Sequence, residues 1–283
     1  MLFRSGFLGD SFTFGLGEND GETFVDYCQN RFQSNAVCAN FGVPGFSPDQ
    51  ELLMLKRDIL PLKPTRVVWF LCLINDVFDL GESFPMQGSM AKPRFQLEGD
   101  RLVVANTPVP ERFKTPADAA RTLRDMVEGP NQRNVSPWNR YEVLKLIGSP
   151  NDESLDELGF GKRVEPLLAL LNAILKEAKT ACSEAGARLD IVVLPGKAFV
   201  LAPQSLSSQY QDYLRKAVVE QCRAEKIPAF DLALELRSAK ESGRNRLFFP
   251  NDGHLTPEGH AVVGAIIDRK STRLNSSHLV ISY

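Results

Sequence analysis

The apolar positions of this 283-residue chain fall into two alternating patterns. Short runs such as Phe7-Leu8 and Arg66-Val-Val-Trp-Phe-Leu-Cys-Leu73 are almost continuously hydrophobic, as strands covered on both faces are. Between them, apolar residues return every third or fourth position, the spacing of a buried helical stripe. Thr23 to Phe32, with Phe24, Tyr27, Cys28 and Phe32 on one side, is predicted to be the first helix. Asn35 to Phe41 follows as a strand, and Gly42-Val-Pro-Gly-Phe46 as the loop at its end. Ser47-Pro48-Asp49-Gln50 then supplies a capping serine, a proline at the first helical position, a first-turn acid and a glutamine three residues after the cap. The helix that opens there places Leu52, Leu53, Leu55, Ile59 and Leu60 inward and stops at about Pro61.

From about Asp79 to Asp152 this rhythm breaks. The stretch is richer in proline and charge, and we read it as an insertion or lid. Within it, Arg94 to Leu97 is expected to turn through Glu98-Gly-Asp100 into Leu102 to Ala105 as a hairpin. Alternation resumes with a helix from about Gly161 to Ala185, a strand Leu189 to Leu194, a helix from about Ser205 to Glu225, a strand Pro228 to Leu232 and a short helix to about Lys240. Thr256 caps and Pro257 starts a last helix through Ala261 to Ile267. Five apolar strands joined by crossover-length connections predict an α/β fold, a parallel sheet with helices on both faces.

Both ends of the chain stand apart from this pattern. Met1 to Ser5 and Asp268 to His278 resemble in-frame translations of a short-read sequencing adapter, with Leu279 to Tyr283 falling at its index and next constant stretch. On that reading the native segment runs from Gly6 to Ile267 of a longer gene, as one domain, with any signal peptide or membrane anchor upstream. Setting aside Arg4, Arg269, Lys270, Arg273 and Asp268 leaves 29 basic against 34 acidic residues. That balance argues against a nucleic-acid binder, which needs a basic face. The five cysteines are scattered among apolar neighbours and read as buried thiols, not as a disulfide frame or zinc site. No apolar run reaches the length of a membrane span.

Candidate chemistry gathers at the predicted strand ends. Ser11, in Gly9-Asp10-Ser11, follows the first strand where the chain turns towards a helix, and is the candidate nucleophile. Between Gly6 and Ile267 only two histidines occur, His254 and His260. Asp252-Gly253-His254 precedes the last helix cap. In an extended loop residues two apart point the same way, so the Asp252 carboxylate can reach one ring nitrogen of His254 and leave the other free. His260, inside the helix, is read as packed or capping. The Ser11 and Gly42 backbone amides and the Asn75 side chain are candidate donors to a developing oxyanion. No Gly-Lys-Ser/Thr loop, no Gly-x-Ser-x-Gly elbow and no metal-ligand clustering is present.

Taken together, Gly9-Asp10-Ser11, Asn40-Phe41-Gly42, Asn75-Asp76 and Asp252/His254 resemble, in order and strand-end placement, the four blocks of the SGNH (GDSL) hydrolase superfamily. The resemblance spans nearly all of Gly6 to Ile267. It implies a three-layer α/β/α sandwich with a flavodoxin-like five-stranded parallel sheet, and Ser11 as nucleophile, His254 as base and Asp252 as its orienting acid. It assigns the oxyanion hole to Ser11, Gly42 and Asn75. Two positions depart from the usual blocks. Leu73 stands where the third normally has glycine, and Asn251 occupies the place from which an Asp-x-x-His acid would act, leaving Asp252 one residue closer. The implied activity is hydrolysis of short acyl or O-acetyl esters, of small molecules or saccharides, through an acyl-serine and without cofactor or metal. Transfer of the acetyl group to a polysaccharide, or a catalytically silent carbohydrate-binding domain on the same fold, is the alternative. Trp138 and Tyr141 are candidates to stack on a sugar, with buried packing the competing role.

Overall fold

The computed structural model describes residues 3–32, 36–80, 82–83, 91–109 and 160–277. In chain order the elements are β1 (Phe3–Gly9), α1 (Ser11–Phe14), α2 (Phe24–Phe32), β2 (Ala36–Gly42), α3 (Pro48–Met54), β3 (Arg66–Cys72), α4 (Asp76–Asp79), β4 (Arg94–Glu98), β5 (Arg101–Ala105), α5 (Phe160–Glu184), β6 (Arg188–Leu194), α6 (Lys197–Leu201), α7 (Leu206–Ala224), β7 (Ala229–Asp231), α8 (Ala233–Glu241) and α9 (Pro257–Ser277). Five strands form one parallel sheet in the order β2-β1-β3-β6-β7, the flavodoxin-like arrangement expected. Through β1 and α9 the folded elements extend into both end stretches, 3–5 and 268–277.

The continuous apolar runs exist because each strand feeds two cores. Along β3, Val67, Trp69 and Leu71 point into the layer built with α3, α5 and α7. Val68, Phe70 and Cys72 point into the layer built with α2, α6, α8 and α9. Side chains on a strand alternate faces, so a strand buried on both sides has no polar register left.

Local chemistry sets most element ends as the sequence suggests. At α9, Thr256 Oγ1 accepts from the Gly259 amide at 3.2 Å. Ser47 occupies the cap position of α3 but does not cap with its side chain; its hydroxyl donates to Asp49 Oδ1 at 2.8 Å. Beyond Met54 the chain widens into a π-helical turn over Leu55–Ile59 and tightens through Pro61 over Leu60–Leu62, ending where Lys63 turns left-handed at φ 53°. The hairpin pairs Arg94 with Ala105 and Leu97 with Leu102 around Gly99-Asp100, and Phe95 buries into the α3/α5/α7 layer. The rest of the expected insertion from 110, with Trp138 and Tyr141, lies outside the described residues. The short helix α6 has no counterpart in the sequence reading. It is too brief to show a period, and packs through Phe199 and Val200.

Candidate active site

In a doubly wound sheet the crevice lies beyond the carboxyl ends of the strands, where the strand order reverses. Here that point lies between β1 and β3. Ser11 follows β1 directly, Gly42 ends β2 and Asn75 follows β3, while residues 249–254 enter from the chain ahead of α9. Asp10 caps α1 by accepting the Phe12 amide at 2.9 Å, which fixes the turn presenting Ser11.

Across a sequence separation of 243 residues, His254 Nε2 lies 2.8 Å from Ser11 Oγ. The Nδ1 of the same ring meets Asp252 Oδ1. That oxygen also accepts the His254 backbone amide at 2.8 Å. This is an Asx-type turn, in which the acid bonds the amide two residues on. A bend, not the extended loop expected, therefore brings Asp252 to the ring across the shortened spacing. Partial burial alone would raise the Asp252 carboxyl, but hydrogen bonds from the His254 amide and ring and the charge of that ring hold it below the usual carboxylate range. An ionised carboxylate only accepts, so Nδ1 carries the proton and Nε2 offers its lone pair to the serine hydroxyl. The ring is seated by Phe12, whose centroid is 4.8 Å away.

Beneath this relay lies a group of buried acids that sequence reasoning did not single out. Asp10 Oδ2 accepts from Asn75 Nδ2 at 3.2 Å. Glu51 Oε2 accepts from the Trp69 indole at 2.5 Å. Asp76 Oδ2 accepts from the Cys72 amide at 2.6 Å. Burial raises all three carboxyls, and their mutual repulsion raises Glu51 and Asp76 well above the usual range. Asp10 also receives the Phe12 and Asn75 hydrogen bonds and faces the His254 charge, all of which oppose the rise. Like charges this close cannot all ionise, so the cluster keeps protons that solvent-facing acids would release.

The expected oxyanion donors are placed unequally. Asn75 has two amide protons and commits one to Asp10. The Ser11 amide meets no acceptor among the described residues. The Gly42 amide, by contrast, donates to Asn40 Oδ1 at 2.8 Å. Its missing side chain serves packing, because a Cβ there would stand 2.1 Å from Phe14 N. Gly45, which sequence reasoning passed over, has φ +80° at the third position of a Val43-Pro44-Gly45-Phe46 turn closed by Phe46 N–H to Val43 O at 3.1 Å. Its own amide meets no acceptor among the described residues. The signal was the Pro-Gly pair, which predicts a type II turn with an outward amide. Leu73 is buried in the α3/α5/α7 layer, its amide on Leu194 O at 3.0 Å.

His260 is a packed residue. Its Nδ1 accepts the Phe24 amide at 3.2 Å and its ring stacks on Phe24 at 5.3 Å. Burial pulls its imidazole down from the ordinary 6.5 to about 4. The unfolded chain takes up this proton below about 6.5 and the folded one only near 4, so stability falls as pH drops through that window. We expect urea titrations to show wild type losing about 3 kcal/mol more than His260→Asn between pH 7 and pH 4, since Asn keeps an acceptor but does not titrate. Parallel curves would contradict this.

Among the described residues no cluster of His, Cys, Asp and Glu is arranged to hold a metal ion, and no helix is long and apolar enough to cross a membrane.

The family model for the GDSL-like lipase/acylhydrolase family matches residues 7–262. No curated protein matches the chain significantly. Among solved structures, a variant of an acetylxylan esterase from Geobacillus stearothermophilus is similar, with TM-score 0.54 and 13% identity over 95% of this chain and 93% of that one. An acetyl xylan esterase, AlAXEase, gives TM-score 0.51 and 11% identity over 95% and 99%. A lipase/acylhydrolase from Enterococcus faecalis gives TM-score 0.50 and 15% identity over 95% of each chain. At these identities the likeness is one of fold.

Proposed function

Because the chain belongs to the GDSL-like lipase/acylhydrolase family and is thus a hydrolase acting on ester bonds, we propose that it cleaves short acyl esters, O-acetyl groups of saccharides included, through an acyl-serine at Ser11. The observation that carries this reading is the continuous relay from Asp252 through His254 to the Ser11 hydroxyl.

In the first step His254 Nε2 takes the hydroxyl proton as Ser11 Oγ attacks the ester carbonyl carbon, and Asp252 stabilises the resulting imidazolium. Negative charge collects on the carbonyl oxygen, towards the Ser11 amide and the uncommitted proton of Asn75. The C–O bond then breaks, His254 returns its proton to the departing alcohol, and the acyl group stays on Ser11. Water, deprotonated by the same imidazole, releases the acid and restores the serine. Ser11 is only 2% exposed, which favours a slender acyl group such as acetyl over a branched one. Two esterases of similar fold are named for acetylxylan, which supports testing acetylated sugars first.

Mixing the protein with excess p-nitrophenyl acetate and quenching in acid should leave one acetyl group on the peptide carrying Ser11. Turnover without any acylated peptide, or acylation elsewhere, would refute the acyl-serine route.

A further inference from the structure

Residues 249–254 form a protruding loop that carries both Asp252 and His254. Its base is closed by the Phe249 amide on His254 O at 3.0 Å and the Thr256 amide on Leu247 O at 3.1 Å. Its tip belongs to no helix or strand, and the Asp252 side chain is 55% exposed. Yet a pre-formed relay needs that tip at rest, because an acid drifting by 1 Å loses its hold on the ring. One cation lies under the tip. Lys197 Nζ donates to Phe249 O at 2.7 Å, Pro250 O at 2.6 Å and Asp252 O at 3.3 Å. An ammonium has three protons and no acceptor, so three converging carbonyls satisfy it fully.

The lysine is itself well anchored. It begins α6, and the preceding Gly196 gives its amide to the buried Gln211 Oε1 at 2.7 Å. Gln211 Nε2 is in turn held by Ser207 at 3.2 Å, while Phe199 and Val200 set α6 into the core. Gly196 also packs on Ile74, next to Asn75; a Cβ at Gly196 would come within 2.8 Å of that side chain. The end of β6 thus transmits the rigidity of the sheet to a loop with little support of its own.

Resting on the hydrolase reading above, we propose that Lys197 is a positioning residue that locks the loop carrying Asp252 and His254 by gathering three of its carbonyls on one ammonium. It touches neither substrate nor reacting atoms and acts only through the hold of the Asp252 carboxylate on the His254 ring. Arginine would not replace it well, since a planar fork cannot direct its protons at three oxygens clustered around one point.

The test is a double-mutant cycle on the full chain. Kinetics with p-nitrophenyl acetate are measured for wild type, K197M, K197Q, D252N and the K197M/D252N pair. K197M should lower kcat by about 10- to 100-fold with KM within about twofold, the mark of lost geometry rather than lost binding. In the D252N background the same change should cost less than about twofold, because the contact it protects is already gone. A second readout is independent of turnover: the low-field His254 ring proton shared with Asp252, observed by NMR, should be sharp in wild type and broadened or lost in K197M. If K197M does not fold, K197Q carries the comparison. A variant with wild-type kcat and an unchanged ring proton overturns the proposal, and so does an equal loss in both backgrounds. Absence of Ser11-dependent turnover in wild type would instead sink the esterase reading, and the ring proton still decides the role of Lys197.

Discussion

Ser11→Ala is expected to reduce kcat on p-nitrophenyl acetate to below about one ten-thousandth of wild type while leaving the fold intact. On the proposed route the serine hydroxyl becomes covalently bound, and alanine leaves His254 Nε2 facing a methyl. What remains is the polarising environment of the Ser11 amide and Asn75, which can assist direct attack by water but forms no acyl-enzyme. The Ser11–His254 hydrogen bond is worth only about 1 kcal/mol to folding, so the thermal midpoint should barely move. The measurement is a progress curve with matched melting profiles. An alanine variant that turns over at wild-type rate would remove Ser11 from the mechanism. One that melts far below wild type would show that the serine is chiefly structural.

The second large effect concerns stability. Lys92, 1% exposed, pairs with the fully buried Asp49 of α3 and joins the segment leading into the hairpin to the body of the fold. Its amide reaches Ser83 O at 2.8 Å and its carbonyl accepts Asn106 Nδ2 at 2.6 Å, so both flanks of the hairpin converge on this residue. Lys92→Met keeps the volume but leaves Asp49 without its counter-charge and facing the buried Glu51. Breaking a buried pair on one side should lower the unfolding free energy by about 3 to 5 kcal/mol at pH 7 in urea. The loss should shrink at pH 5. Burial already raises the Asp49 carboxyl even against Lys92, and without the lysine it will take up a proton instead of standing charged. Lys92→Met with Asp49→Leu should recover most of the loss, because an apolar pair has no charge to desolvate. A single variant within 1 kcal/mol of wild type at both pH values would mean that water reaches the pair, contrary to its burial.

Much of this architecture is legible in the chain. Arg66 to Leu73 announces a doubly covered strand, Thr256-Pro257 announces the last helix, and Glu98-Gly-Asp100 announces the hairpin turn, because each signal is set by the residue's own backbone or nearest neighbours. That Ser11, His254 and Asp252 belong together was legible for a different reason. With two histidines between Gly6 and Ile267, and one of them beside an aspartate ahead of a helix cap, few candidates existed. Gly42 shows where such reasoning stops. Its lack of a side chain was evident, but whether that space admits a substrate or the backbone of Phe14 depends on what α1 packs against. Ser47 teaches the same lesson: the sequence marked a cap position, and only the neighbouring Asp49 decided which way the hydroxyl turned.

By itself the amino-acid order determined the strands, the helix starts and the serine, histidine and aspartate to watch, because periodicity and turn chemistry act over a few residues. Tertiary structure alone decided that Lys197 sits under the Asp252 loop, that Glu51, Asp10 and Asp76 crowd together by Ser11, and that Lys92 answers Asp49. These pairings join residues tens of positions apart. Electrostatics and hydrogen bonds depend on distance in space, and a linear pattern of polar positions carries no record of which of them will meet once the two apolar cores have closed.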